Sequence, residues 1–246
     1  MTSSTPSDGG DAPPPMPVEV RAVRGWLRAC VRTLARTLAR PSESFRRVPE
    51  PVAHGRVLGY LATLRLPAWA LLVGIEGWRV LSDATPPLPL RSIHTLLDPP
   101  LVQALTAWLV LMVPVGLPML YFFGGLLAHL GIALTGGASR SIGASMRAVG
   151  YAAGPALLAI GVLDLPLYLG DLPALVYFAL VGAVALLLLF LGGIGLARTH
   201  QIGLVRGWAV TLLPAALLVA VTLARAVLVL RELPGLPVPD QPYYVP

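Results

Sequence analysis

The chain has 246 residues, of which 56% are hydrophobic and 12% charged, and its mean hydropathy is +0.75. A soluble domain is about half apolar and about a quarter charged, so this composition excludes that class and indicates an integral membrane protein. The net charge of +6 would suggest nucleic acid in a soluble chain, but the basic residues, all arginine, cluster beside apolar segments. There they set membrane topology and contact anionic headgroups, so the expected partner is a lipid bilayer and not nucleic acid.

The N-terminal region divides into a tail and an amphipathic connector. Residues 1–17 are polar and rich in Pro and Gly, lack the order of a signal peptide, and are expected to be disordered. Residues 18–56 contain a stretch, 20–40, in which arginine recurs every four residues opposite a face of valine and leucine. This pattern is typical of a helix that lies in the membrane interface against anionic lipid. Docking on the protein's own cytoplasmic face or on a partner is the alternative.

Five apolar segments are long enough to span a bilayer, which predicts an all-α bundle of five transmembrane helices. They are residues 57–78, 101–133, 145–163, 172–197 and 207–230. The membrane domain therefore covers residues 57–231, and a Pro-rich tail, residues 232–246, follows it. The second segment is too long for one straight helix, and Pro114 and Pro118 are expected to kink it.

The distribution of arginine predicts the orientation of the bundle. Arginines are concentrated before the first span, between the second and third spans, and between the fourth and fifth. The positive-inside rule then places the N-terminus in the cytoplasm and the C-terminus outside, across the inner membrane if the source is bacterial.

Two charged residues fall inside the first span, and an ionisable residue in a span is a functional-site hypothesis by default. Arg65 and Glu76 lie on nearly the same helix face but about 16 Å apart along the axis, too far for direct contact. They are either two separately satisfied charges or an intramembrane polar path for a proton, ion or headgroup. The second reading would make the protein a small transporter or lipid-handling protein. His129 and His200 are further candidate functional polar residues, expected near the cytoplasmic interface.

An enzyme is not expected. The letters GAS at residues 143–145 resemble the start of the G-x-S-G nucleophile site of rhomboid-type intramembrane proteases, with Ser145 as nucleophile and His129 or His200 as base. Met146, however, occupies the position of the second glycine. Nothing visible in the sequence supplies an orienting third group or an oxyanion hole, so we expect no catalytic residue.

Cofactor and metal sites are not expected either. Residues 136–143 lack the lysine of a phosphate-binding loop, and four scattered histidines with one cysteine offer no metal-ligand spacing. The single cysteine, Cys30, excludes an internal disulfide. We interpret it as a small apolar residue on a helix face, with palmitoylation as the alternative.

Residues 134–155 instead show the features of a helix–turn–helix connection. Gly136 and Gly137 are expected to end one helix, and Ser139 or Ser141 to cap the next. Small residues then recur every fourth position, which allows membrane helices to approach closely. The stripe consists of Ala144, Ala148, Ala152 and Ala156, with the glycine pair Gly150 and Gly154. Gly192, Gly193 and Gly195 indicate a second close approach on the fourth span.

Four short motifs occur in a characteristic order along the chain. They are ARPSESF (residues 39–45, with Pro41 and Phe45), TGG (135–137, with Gly136 and Gly137), GYAAGP (150–155, with Gly150, Tyr151, Gly154 and Pro155) and ARTHQIGLVRGW (197–208). Over roughly residues 34–230 this order resembles the Yip-domain family of five-span membrane proteins, specifically its bacterial branch.

The resemblance implies five helices, a cytoplasmic N-terminus and no catalytic activity. Eukaryotic members act in traffic between the ER and the Golgi, where they contact Rab GTPases and sibling Yip proteins. Their D-L-Y-G-P-x-W motif ahead of the first span is missing here. We therefore expect a non-enzymatic protein that organises membrane or partner proteins through lipid contact, other membrane proteins or self-association.

Overall fold

A segment surrounded by lipid must satisfy its own backbone hydrogen bonds, which an α-helix does alone. The computed structural model describes residues 15–20, 25–46, 48–94 and 99–212, and every regular element in those ranges is helical. The elements are a 3₁₀ turn (Pro17–Glu19), α1 (Trp26–Ala39), α2 (Pro41–Arg46), α3 (His54–Ser82), α4 (Leu88–His94), α5 (Pro99–Leu111), a π-helical segment (Met112–Gly116), α6 (Leu117–Leu134), α7 (Ile142–Leu169) and α8 (Ala174–His200).

Four of these helices are long and apolar enough to cross a membrane within the described ranges. They are α3, the continuous unit Thr106–Leu134, α7 and α8. The expected fifth span, 207–230, is only partly described: residues 204–212 are helical, and the remainder lies outside the described residues. Residues 1–14 of the expected N-terminal tail and the whole expected C-terminal tail, residues 232–246, lie outside them as well. The all-helical fold is confirmed for the described residues, and four of their helices are long and apolar enough to span a membrane.

The long second span changes from α-helical to π-helical geometry around its first proline. Pro114 lies inside the π-helical segment between α5 and α6. Proline has no N–H to donate and its ring clashes with the carbonyl four residues earlier, so an α-helix cannot continue unchanged through it. Pro118 lies in the first turn of α6, directly after the π-helical segment. The expected interruption is therefore at Pro114.

Helix α7 occupies the centre of the bundle and packs against α3, α6 and α8. The four alanines of the predicted small-residue stripe are all buried. A Cβ atom added to Gly150 would lie 2.5 Å from the Val57 side chain, and one added to Gly154 would overlap the Tyr60 ring. Glycine at these two positions is what lets α3 lie directly on α7.

The connection between α6 and α7 uses the predicted glycines but not the predicted serine cap. Gly136 has a φ of 74°, and the N–H of Gly137 donates to the carbonyl of Ile132, which closes the last turn of α6. Ser141 occupies the N-cap position of α7, yet its side chain makes no capping hydrogen bond. The Ser139 hydroxyl donates instead to the carbonyl of His200 in α8. Ser139 therefore links the connection between α6 and α7 to the end of α8, and it does not cap α7.

The glycines near the end of α8 mark the second close approach, as predicted. A Cβ at Gly193 would overlap the Trp208 ring, and one at Gly192 would lie 2.8 Å from Thr211. Both partners belong to the helical residues 204–212. On another face of α8, Gly195 leaves room for the Phe45 ring of α2. The end of α8 thus holds α2 and the helix that follows α8.

Helix α1 docks on the bundle through a narrow face. Cys30, Thr33 and Thr37 are buried, and the indole Nε1 of Trp26 donates to Thr63 of α3. Burial raises the pKa of the Cys30 thiol, and the residue is 2% exposed, so it behaves as the expected small packing residue. The remaining faces of α1 are open: one exposes leucine and valine, and the next exposes arginine.

The close approach of α3 and α7 makes a test of packing. Gly154→Ala should lower the unfolding temperature of the purified protein in mild detergent, because the new methyl group overlaps Tyr60 and overpacking costs about 1–3 kcal/mol. Gly182→Ala in α8 is the matched control, since a Cβ there has nothing within 4 Å. It should leave stability unchanged or raise it slightly. Equal shifts for the two variants would contradict the packing described here.

Candidate functional site

Polar side chains concentrate at one end of the bundle, where α1, α2, the first turns of α3 and α7, and the last turns of α6 and α8 meet. We call this the α1 end and the opposite one the far end. At the α1 end Arg147 of α7 is 1% exposed and forms a double contact with Glu19. The distances are 2.5 Å from Nε to Oε1 and 3.0 Å from Nη2 to Oε2. The Tyr151 hydroxyl donates to the same Oε1 at 3.1 Å, and its ring lies under the guanidinium.

Glu19 belongs to a short segment, residues 15–20, which contains the 3₁₀ turn and which we call the strap. Met16 and Val18 of the strap are each 1% exposed and form part of the hydrophobic core. The Val18 N–H donates to Thr33 of α1 at 3.3 Å, and Arg56 of α3 donates to the carbonyl of Glu19 at 2.8 Å. The expected disordered tail, residues 1–17, therefore overlaps at residues 15–17 with chain that is packed into the bundle.

A second polar cluster at the α1 end links three helices. Ser145 of α7 has no exposed surface, and its Oγ lies 3.0 Å from Nδ1 of His129 in α6 and 2.8 Å from Nε2 of His200 in α8. The backbone N–H of Arg140 donates to Nδ1 of His200 at 3.3 Å. An N–H can only donate, so Nδ1 accepts and the proton of the neutral ring is on Nε2. His200 then donates to Ser145, and Ser145 donates to His129.

The direction of these hydrogen bonds bears on whether Ser145 could act as a nucleophile. His200 cannot take a proton from Ser145 while its own Nε2–H points at the hydroxyl, so of the two histidines it is His129 that accepts from Ser145. A nucleophile must also reach a substrate, and the hydroxyl of Ser145 is enclosed by protein. The arrangement satisfies the hydrogen bonds of three polar side chains, Ser145, His129 and His200, and it joins α6, α7 and α8.

The motif residues behind the family resemblance lie mostly on the same packing surfaces. Phe45 is fully buried against Gly195, and its carbonyl accepts from Thr199 at 3.4 Å. Gly137 leaves room for the Arg206 side chain. Pro41 begins α2, and Pro155 lines an apolar groove between α7 and α8. Tyr151 is the residue of the GYAAGP motif that has a polar contact, through Glu19.

Arg65 and Glu76 are not brought together. The Nη2 of Arg65 lies 2.5 Å from Oδ2 of Asp164 in α7, whereas Oε1 of Glu76 lies 2.6 Å from Nη1 of Arg79. The Tyr177 hydroxyl of α8 donates to Oδ1 of Asp164 at 2.8 Å. Each charge has its own partner, which fits the reading as separately satisfied groups.

Asp164 was not identified from the sequence as the partner of Arg65, because the expected third span ended at residue 163 and left this carboxylate in the loop that follows. In the structure α7 continues to Leu169, and Asp164 is 6% exposed. The signal that could have found it is the unpaired arginine of the first span, which needs a carboxylate on a neighbouring helix. For metals, the described residues contain no group of three potential ligands among His, Cys, Asp and Glu.

The Glu19–Arg147 pair can be measured by a double-mutant cycle. Glu19→Gln should lower the free energy of unfolding by about 3–5 kcal/mol, because it leaves Arg147 buried without its counter-charge. Glu19→Gln combined with Arg147→Met should cost less than the sum of the two single substitutions. Unfolding in mixed micelles, followed by circular dichroism, gives the four values.

The matched control is Glu43→Gln, which removes the exposed pair with Arg40. The two groups lie 3.6 Å apart and their side chains are 53% and 72% exposed. Such pairs contribute about 0–1 kcal/mol, so the control should change stability little. If the stability losses of the Glu19 and Arg147 substitutions simply add in the double variant, the strap does not depend on the contact between these two residues.

Comparison with known families gives one match. The family model described as Yip1 domain matches residues 35–225. The matched range begins within α1 and includes all four spanning helices, whereas Glu19 and the rest of the strap lie before it. No match was found among the curated proteins or among the solved structures.

Proposed function

Because the chain belongs to the Yip1 domain family, we propose that it is a non-enzymatic membrane protein of the bacterial branch that organises membrane or partner proteins. The organising surface is the α1 end, where α1 meets anionic headgroups and a partner or a second copy. The N-terminus lies in the cytoplasm and the C-terminus outside, across the plasma membrane of a bacterial cell.

The observation that carries the proposal is the open surface of α1. Leu27 and Val31 are 69% and 62% exposed although the helix is already docked on the bundle through the face of Cys30, Thr33 and Thr37. Arg28 and Arg32 occupy the adjacent exposed face. An apolar face beside an arginine face is what a helix needs to lie in a membrane interface, or to receive an acidic or amphipathic partner there.

The arrangement of charge supports the orientation. Among the described residues, arginines at the α1 end greatly outnumber those at the far end, where Arg79 and Arg91 are accompanied by Asp83 and Asp171. Arginine-rich connections remain on the cytoplasmic side of a membrane. The α1 end is therefore the cytoplasmic one in this proposal, and α1 faces the anionic inner leaflet.

The non-enzymatic part is supported by the state of the polar residues at the α1 end. Glu19 is enclosed by donors, and Ser145 is enclosed between its two histidines. A catalytic group needs a reacting atom within hydrogen-bond reach, and these groups face one another instead.

The test is photo-crosslinking in living cells, because the chain has no lysine for amine-reactive reagents. A diazirine-bearing amino acid in place of Val31 should capture a specific protein or a second copy, identified by mass spectrometry. The same probe in place of Leu175, which is 83% exposed at the far end, is the matched control and should not capture it. Arg32→Glu should reduce the capture at position 31 several-fold, whereas Arg91→Glu should not.

Two outcomes would overturn the proposal. Adducts with lipid alone at position 31 would leave α1 as a membrane contact without an organising role. Equal capture of the same proteins at positions 31 and 175 would show that α1 has no special surface.

A further inference from the structure

A cavity of about 330 Å³ lies near the far end of the bundle, away from the site described above. Its wall is formed by α3, α4, the kinked second span, α7 and α8. Arg65 and Asp164 form its polar wall. The rest of the lining combines aliphatic side chains and His94 with four aromatic residues, which are Trp108, Tyr168, Tyr177 and Phe178.

Arg65 has more donors than its neighbours use. Its Nη2 contacts Asp164 and the sulfur of Met112. Its Nε and Nη1 are buried and have no hydrogen-bond partner among the residues that the structure describes. The side chain as a whole is 1% exposed. Buried N–H groups are almost always satisfied, so two open donors on one buried guanidinium at a cavity wall indicate a missing acceptor.

The side of the cavity formed by Asp164 and the aromatic residues is suited to bind a cation. Each oxygen of Asp164 accepts one hydrogen bond, from Arg65 or from Tyr177, and a carboxylate oxygen has room for a second. Aromatic faces attract ammonium groups. Trp108 and Phe178 line the cavity, whereas the ring of Tyr168 already has the guanidinium of Arg79 over it. The cavity therefore offers donors for an oxyanion beside a carboxylate and rings for an amine.

The depth of the cavity fits a lipid headgroup. Helix α7 has 28 residues and is about 42 Å long at 1.5 Å per residue, close to the full bilayer thickness with its headgroups. Asp164 lies five residues before the end of α7, about 7.5 Å from that end. The cavity thus lies at or just beneath the headgroup layer at the far end.

We propose that the cavity between Arg65 and its aromatic wall binds an amine-bearing phosphodiester, the headgroup of a zwitterionic phospholipid. The phosphate accepts from one of the two open donors of Arg65, Nε or Nη1, which point to opposite edges of the guanidinium, and the ammonium lies against Asp164 and the rings. The Arg65–Asp164 pair is neutral as a whole, so a zwitterion matches it, whereas an anionic headgroup would bring its phosphate towards Asp164 without a compensating cation. The site does not depend on the organising role of α1.

The experiment is lipid binding by native mass spectrometry on the full-length protein in mild detergent. Phosphatidylethanolamine and phosphatidylglycerol with identical acyl chains are titrated separately. We expect phosphatidylethanolamine to be retained at least 10-fold more tightly. Arg65→Lys should remove that preference, because a lysine ammonium can pair with Asp164 but has no planar set of donors pointing to both sides.

The matched control is Arg147→Lys, an equally buried arginine paired with a carboxylate at the α1 end. It should leave the lipid preference unchanged. Trp108→Leu is a second variant that keeps the ion pair and removes one aromatic face, and it should reduce the preference several-fold. The unfolding temperature of each variant is measured in parallel, so that loss of fold is distinguished from loss of binding.

Equal retention of the two lipids by the unmodified protein would overturn the proposal, as would a preference that survives both Arg65→Lys and Trp108→Leu. Competitors without acyl chains separate the possible sources of the ligand. Displacement of the lipid by glycerophosphoethanolamine or by inorganic phosphate at comparable concentration would assign the cavity to a free soluble phosphate and overturn the lipid assignment. If neither competitor displaces the bound lipid, the lipid assignment is supported.

Discussion

A guanidinium group buried in a membrane bundle must be neutralised within hydrogen-bond distance, because arginine does not lose its proton in a protein and an unpaired buried charge is very costly. Arg147 and Arg65 are each 1% exposed, and both pair with carboxylates. Helix α7 supplies one member of each pair: Arg147 to the strap and Asp164 to α3. These two contacts fix how the strap and α3 lie along α7, since a shift of one turn would leave a charge without its partner.

Close packing makes the pairs possible. Gly150, Gly154 and Gly161 bring α3 against α7, and Nη1 of Arg65 would lie 2.9 Å from a Cβ at Gly161. A larger residue there would push the guanidinium away from Asp164. Small residues on α7 and long polar side chains on its partners are therefore two parts of one arrangement. Van der Waals contact supplies the attraction between the helices, and the ion pairs select one alignment.

The local features of the fold could be predicted from the sequence, and the long-range ones could not. The apolar segments, the break at Pro114, the left-handed Gly136 and the alanine stripe of α7 all follow from the chemistry of a few adjacent residues. The contacts of Arg147 with Glu19 and of Arg65 with Asp164 join residues 128 and 99 positions apart, and no periodicity reports such pairs. The strap was missed for another reason. Its Pro-rich composition predicts disorder, and composition does not show that Met16 and Val18 find places in the core.

The strap connects the buried ion pair to the proposed function, because it lies between α7 and α1 and orients the helix that carries the exposed surface. The most direct measurement is hydrogen–deuterium exchange of the full-length protein in lipid nanodiscs. The amides of Met16, Val18 and Glu19 donate to Glu19, Thr33 and the Met16 carbonyl, respectively. These amides should exchange slowly, at rates comparable to those within α1. Exchange at the rate of an unstructured peptide would contradict it.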